Sequence, residues 1–219
     1  MAREQLAVIF DMDGVLVDSY RAHLESWQRM ASEYGVEITE RQFAATFGRT
    51  SRDIIARFWG EGLSDERIAE MDGRKEELYR QTIAADFPEM DGARELIRAL
   101  HSAGWKLAVG SSGPPENVQA AMAGLGLPEC FDAAVTGMDV THGKPDPQVF
   151  LLAAERLGIP PCRCAVIEDA PAGIEAARRA GMVAIAITGT APRGKLADAD
   201  MVVDSLRELT PNTIARLIG

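Results

Sequence analysis

Two aspartates one residue apart, Asp11 and Asp13, follow directly on the apolar run Leu6-Ala7-Val8-Ile9-Phe10 and are backed by Gly14. A short continuous hydrophobic run of this kind predicts a strand buried on both faces. Acids that terminate such a strand sit at its carboxyl end, the edge at which open α/β sheets bind ligands. Alternation along an extended chain turns Asp11 and Asp13 to one side and Met12 to the other. Two carboxylates sharing a site repel, and a divalent cation or a proton held by one of them relieves the repulsion. One carboxylate of such a pair can attack an electrophile, phosphoryl groups included, while its neighbour moves protons. A pair of exposed turn acids before a turn glycine has the same spelling, so the rest of the chain must decide.

Three later apolar runs also end in polar residues. The run at residues 105–110 ends at Gly110-Ser111-Ser112-Gly113, just ahead of Pro114-Pro115, which open a helix. A hydroxyl and backbone N–H groups at a helix start suit a phosphate oxygen. Gly143-Lys144-Pro145-Asp146-Pro147 sets a lysine before another helix start, and the run Cys164–Ile167 ends at Glu168-Asp169. That second acidic pair is suited to complete a metal site with the first. The donors are all oxygens, with no imidazole, which suits a hard divalent cation.

The elements that must carry these residues fall into two blocks. From Asp18 to Phe87 the signals are helical. Asp18 or Ser19 caps a helix to about Tyr34, while Thr39/Gln42 and Thr50/Asp53 are spaced as capping boxes. Ser64 opens a long charged helix towards Ala85. Trp27, Phe58 and Trp59 are read as the core of this block. From Pro88 onward helices alternate with short apolar strands near residues 105–110, 133–135, 164–167, 182–187 and 201–203, the mark of βαβ units and a parallel sheet. The expected architecture is α/β: a Rossmann-like parallel-sheet core from residues 1–17 and 88–219, with a helical cap at 18–87.

Composition narrows the partners. The chain has 219 residues, 47% hydrophobic and 26% charged, with 33 acids against 23 bases and a formal net charge of -10. That field repels polyanions, so neither nucleic acid nor an anionic membrane surface is expected. The three cysteines, Cys130, Cys162 and Cys164, have neither the number nor the spacing of a disulfide framework or zinc knuckle, and read as reduced thiols in the cytoplasm. No signal peptide or membrane span is expected at the start of the sequence. A monomer or weak dimer is expected.

With FDMDG at 10–14, GSS at 110–112, THGKPDP at 141–147 and EDAPAGI at 168–174, the chain resembles the haloacid dehalogenase (HAD) superfamily. The likeness is to the branch with a helical, C1-type cap after the first strand, where β-phosphoglucomutases and small-molecule phosphatases lie. It covers essentially the whole chain. The resemblance implies that Asp11 is the nucleophile that becomes an aspartyl phosphate, and that Asp13 is the proton shuttle. Ser111 would hold a phosphoryl oxygen and Lys144 would bridge that group and Asp11. Mg2+ would be bound by Asp11, Asp169 and the Asp13 main-chain carbonyl, with Glu168 in or beside the shell. An acid at position 13 separates the phosphoryl-transfer members from the dehalogenases and phosphonate hydrolases, which lack one.

Substrate contacts are expected from Ser112 and from His23, Arg52 and Lys75 of the cap, three positions that match the β-phosphoglucomutases. Solvated helix faces for Arg52 and Lys75, a capping or hinge role for His23, and a helix-capping role for Ser112 are the plainer alternatives. The chain departs from the mutases at Phe47, where they carry a lysine, and in SSGPPEN, which lacks their basic residue. The expected activity is therefore an Mg2+-dependent phosphatase acting on a small phosphorylated metabolite, sugar phosphates included, with cap closure excluding water. A β-phosphoglucomutase-type isomerase is the alternative enzyme, and an inert phosphometabolite-binding protein the alternative without catalysis.

Overall fold

The computed structural model describes residues 5–46 and 49–219; Phe47 lies outside the described residues. The chain divides into two compact units: the described residues up to Asp18 with Pro88–Gly219, and Ser19–Phe87.

The first unit is built on a six-stranded sheet of parallel strands: β1 (Ala7–Phe10), β2 (Lys106–Gly110), β3 (Ala133–Val135), β4 (Cys164–Glu168), β5 (Val183–Ile187) and β6 (Met201–Val203). Their order is β3-β2-β1-β4-β5-β6, the doubly wound arrangement in which the winding reverses at the central strand. Every residue of β1 and β4 is buried, as apolar runs flanked on both sides by other strands and covered on both faces require. Phe10 lies opposite Val109 on one side and Ile167 on the other. The chain therefore leaves β1 at Asp11 with the ends of β2 and β4 alongside. These residues sit at the reversal point, where a crevice opens between strands whose connections run to opposite faces.

Beyond Phe10 one further ladder bond is made, from Asp11 N–H to the Ile167 carbonyl at 2.9 Å, and the chain then turns. The Met12 carbonyl accepts from the Leu16 and Val17 amides at 2.9 and 3.0 Å, and Gly14 N–H donates to the Val17 carbonyl. The turn buries Met12 and leaves Asp13 half-exposed. The segments leading out of and back into this unit run side by side: Asp18 N–H donates to the Pro88 carbonyl and Met90 N–H to that of Leu16.

Among the described residues five α-helices complete the unit, and the second unit contributes the four that precede them in the chain. Those four are α1 (Tyr20–Glu33), α2 (Glu40–Ala44), α3 (Ser51–Trp59) and α4 (Asp65–Ala85). The sheet unit then adds α5 (Ala93–Ser102), α6 (Pro115–Leu125), α7 (Gln148–Leu157), α8 (Pro171–Arg179) and α9 (Pro211–Ile218). In α7, Val149, Phe150, Ala153 and Leu157 recur at helical spacing and are buried against Ile9, Ala108 and Val166 of the sheet.

The helical unit has its own core of Leu24, Trp27, Met30, Phe43, Ile54, Ile55, Met71 and Leu78, with Phe58 and Trp59 packed at its edge. Thr39 and Gln42 form a reciprocal capping box. Thr50 accepts from Asp53 N–H without the return bond, because an aspartate is one methylene shorter than the residues that close a capping box. Ser19 occupies the cap of α1 in a helical conformation and makes no side-chain cap. No helix among the described residues is long and apolar enough to cross a membrane.

Candidate active site

The carboxyl ends of β1 and β4 bring three acids together. Single carboxylate oxygens of Asp11, Glu168 and Asp169 lie within 4.8 Å of one another, and all three residues are buried. Lys144 enters this group from the loop before α7. Its Nζ donates to Asp11 Oδ1 and to Glu168 Oε1, both at 2.7 Å, and lies 4.9 Å from the centre of the Phe150 ring. The second Glu168 oxygen accepts the Asp169 and Ala170 amides, each at 2.8 Å. Glu168 is thus clamped between a lysine and the chain entering α8. Its carboxylate orients Lys144 while remaining a member of the acid cluster.

Glycine makes this crowding possible at two points. A Cβ on Gly173 would fall 1.8 Å from Glu168 Oε1, and one on Gly14 would fall 2.0 Å from Asp169 Oδ2. Gly14 also has φ +74°, a left-handed conformation that side chains disfavour. Both sit in motifs singled out from the sequence, and the structure supplies the reason: any side chain there would displace an acid.

The electrostatics follow from three buried carboxylates sharing one ammonium. Burial, partly offset by Lys144 and reinforced by Glu168, pushes Asp11 up to about 7. Burial, then the charges of Glu168 and Asp11, push Asp169 up to about 8. Burial by itself would lower Lys144, but Asp11 and Glu168 outweigh it and hold the ammonium above its usual range. One lysine leaves the cluster under-compensated. Hard oxygen donors with excess negative charge in a buried crevice fit a divalent cation of the Mg2+ type.

Ser111 follows β2 at the same edge. It is buried, its amide donates to the Val135 carbonyl, and its hydroxyl accepts from Gly113 N–H at 3.0 Å. Ser112 is exposed and does not cap α6, whose first-turn position is taken by Pro115 after Pro114. Asp13, placed with these acids from sequence, contributes no carboxylate oxygen to the three-acid cluster, although its charge is felt by Asp11.

The family model for haloacid dehalogenase-like hydrolases matches residues 6–181, which carry all of these groups. The chain belongs to the haloacid dehalogenase-like hydrolases. Among its relatives, validoxylamine A 7'-phosphate phosphatase of Streptomyces hygroscopicus subsp. limoneus is 33% identical, over 92% of this chain and 94% of that protein. Hexitol phosphatase A of Escherichia coli K12 is 34% identical, over 92% of each. The crystal structure of β-phosphoglucomutase from Clostridium difficile superposes with a TM-score of 0.83 at 26% identity, covering 98% of this chain and 97% of that one.

The three cap positions of this haloacid dehalogenase-like chain lie in the helical unit, where two of them meet. Lys75 of α4 is only 3% exposed. Its Nζ donates to Glu76 Oε1 at 2.8 Å, lies 3.0 Å from His23 Nδ1, and sits 5.4 Å from the Tyr79 ring centre. The His23 ring stacks on Tyr79 at 4.3 Å. A solvated helix face is therefore not the setting of Lys75. Arg52 does have that setting, paired at 2.7 Å with Asp65 and exposed.

Two contributors escaped sequence reasoning. Phe150 packs in the core, and its ring centre also lies 4.9 Å from the Lys144 ammonium. Thr190, in the loop after β5, brings its hydroxyl to the same glycine, Gly14, that Asp169 crowds. Nothing in Thr188-Gly189-Thr190 distinguishes it from an ordinary turn.

Proposed function

We propose that the protein is an Mg2+-dependent phosphatase that hydrolyses a small phosphorylated metabolite, of the sugar phosphate class, through an aspartyl phosphate on Asp11. The observation that carries this reading is the Lys144 ammonium held at 2.7 Å from both Asp11 and Glu168, beside Asp169, at the reversal point of the sheet. The named activities of the two bacterial relatives, both phosphatases of phosphorylated small molecules, point the same way.

In the first half-reaction an Asp11 oxygen forms a bond to phosphorus as the bond to the substrate oxygen breaks, and Asp13 gives that oxygen its proton. In the second, Asp13 takes a proton from water, the water oxygen bonds to phosphorus, and Asp11 is released with inorganic phosphate. Lys144 offsets the repulsion between the Asp11 carboxylate and the incoming dianion, and Ser111 holds a phosphoryl oxygen by its hydroxyl and the adjacent amides. Asp11, Asp169 and the Asp13 main-chain carbonyl would hold the cation, with Glu168 beside them. When bound, Mg2+ supplies charge neutralisation at the phosphoryl oxygens. Three free cysteines, one of them exposed, support a reducing compartment such as the cytoplasm.

The structural likeness to β-phosphoglucomutase and the contact between His23 and Lys75 favour a second reading, in which a sugar hydroxyl accepts the phosphoryl group in place of water. A panel of sugar phosphates with and without Mg2+ tests the first reading by release of inorganic phosphate. β-Glucose 1-phosphate with a bisphosphate primer tests the second. Glucose 6-phosphate formed without released phosphate would replace the phosphatase by the mutase. Absence of turnover on every sugar phosphate and on p-nitrophenyl phosphate would replace both by a binding protein.

A further inference from the structure

The acids at the ends of β1 and β4 are reached by a third segment, the loop leaving β5. That loop is anchored at its start, where Thr188 N–H donates to the Val203 carbonyl and the Thr188 hydroxyl donates to Asp204 at 2.7 Å. Two residues on, Thr190 is largely exposed, yet its hydroxyl is turned inward. A Cβ on Gly14 would fall 2.9 Å from Thr190 Oγ1 and 2.0 Å from Asp169 Oδ2, so the hydroxyl and the carboxylate press against the same glycine. The hydroxyl also draws the Asp169 carboxyl down, against the burial and the neighbouring acids that raise it. Asp169 otherwise faces Glu168 and Asp11, which are acids and offer no donor while ionised. Its carboxylate needs a neutral donor to fix its rotation without adding a charge that would compete with a cation.

We propose that Thr190 is a positioning residue that holds the Asp169 carboxylate in the orientation in which it joins Asp11 to receive a divalent cation. The proposal rests on the metal-binding reading above. It brings a fourth strand end into the site, after those of β1, β2 and β4, from outside the family motifs and beyond residue 181, the last one that the family model matches. A donor that orients a ligating carboxylate sets metal affinity, and loss of one characteristically weakens binding by about 10–100-fold.

The test is the affinity of the intact protein for Mn2+, read by electron paramagnetic resonance of free against bound ion, in Thr190→Val, Thr190→Ser and the parent chain. Valine keeps the shape and removes the hydroxyl; serine keeps the hydroxyl and removes the methyl. Thr190→Val is expected to bind Mn2+ at least ~10-fold more weakly, with Thr190→Ser within about twofold of the parent. Turnover of Thr190→Val is expected to recover towards the parent value at saturating metal, with the KM for substrate unchanged. Parent-like Mn2+ affinity in Thr190→Val, or equal weakening in the serine variant, overturns the positioning role and leaves the metal site standing. Failure of the parent chain itself to bind Mn2+ overturns both.

Discussion

Titration of the metal-free protein should expose the acid cluster as a charge stress that grows with pH. Folding raises Asp11 from 3.8 to about 7 and Asp169 from 3.8 to about 8, in each case first through burial. Between roughly pH 4 and 8 the folded chain therefore binds more protons than the unfolded one. Stability must then fall as pH rises through that window. The two acids share their surroundings and titrate as a pair. One net proton held between them gives a slope of ~1.4 kcal/mol per pH unit, or about 3 kcal/mol from about pH 5.5 to 7.5. That is a large part of the ~5–15 kcal/mol by which a domain is stable. The surface acid Asp139, held down at about 2 by Arg156 and Thr136, titrates below the window. Lys144, held above its usual range, stays charged throughout. Mg2+ competes with the protons for the same oxygens, and at about 100 times its dissociation constant adds ~2.7 kcal/mol. Its effect should be concentrated at the alkaline end, where the acids are ionised. Urea unfolding followed by tryptophan fluorescence, in chelator and in Mg2+ across this range, measures both. A metal-free stability that is flat or rises with pH would refute the reasoning, as would equal stabilisation by Mg2+ at both ends.

Asp11→Asn should lower phosphate release by more than about 10^4-fold with the circular dichroism unchanged, since an amide cannot form the phosphoryl ester; substantial residual turnover would move the nucleophile elsewhere. Asp13→Ala should lower turnover by ~10^2–10^4-fold by slowing proton transfer in both half-reactions. Mass spectrometry of the quenched reaction should still find phosphorylated chain, and turnover at the parent level would exclude Asp13 as the shuttle. Gly173→Ala is a test of sign. In an ordinary helix the change stabilises by up to ~1 kcal/mol, but here the new Cβ would stand 1.8 Å from Glu168 Oε1. A loss of ~1–3 kcal/mol in urea unfolding is expected, with reduced turnover as Lys144 loses its second anchor. A stabilised variant would show that Glu168 does not occupy that space.

Much of this arrangement is legible in the sequence. Local signals carried it where the physics is local. Four of the five apolar residues before the acids form the buried β1, which ends at Phe10, and the Thr39/Gln42 spacing became a capping box. Pro115 and Pro171 open helices because proline suits a first turn. The places where local reading slipped have local causes too. Asp53 is too short to close its box, and Ser19, in a helical conformation, makes no side-chain cap for α1.

What the chain alone determined was the inventory: which residue types stand at the ends of buried strands, and that acids, a hydroxyl and a lysine recur there in the order of a known family. Strand endings are dictated by short-range hydrophobic pattern, so they survive without knowledge of neighbours. What only the tertiary structure decided was partnership. That Glu168 grips Lys144 and the entrance of α8, that Lys75 is buried beside His23 while Arg52 pairs with Asp65, and that Thr190 reaches Asp169 across Gly14 all depend on strand order and close approach. The contacts of Lys144 with Glu168, of Lys75 with His23 and of Thr190 with Asp169 join residues far apart in the chain, and no pattern along the chain encodes which of several acids a lysine will meet.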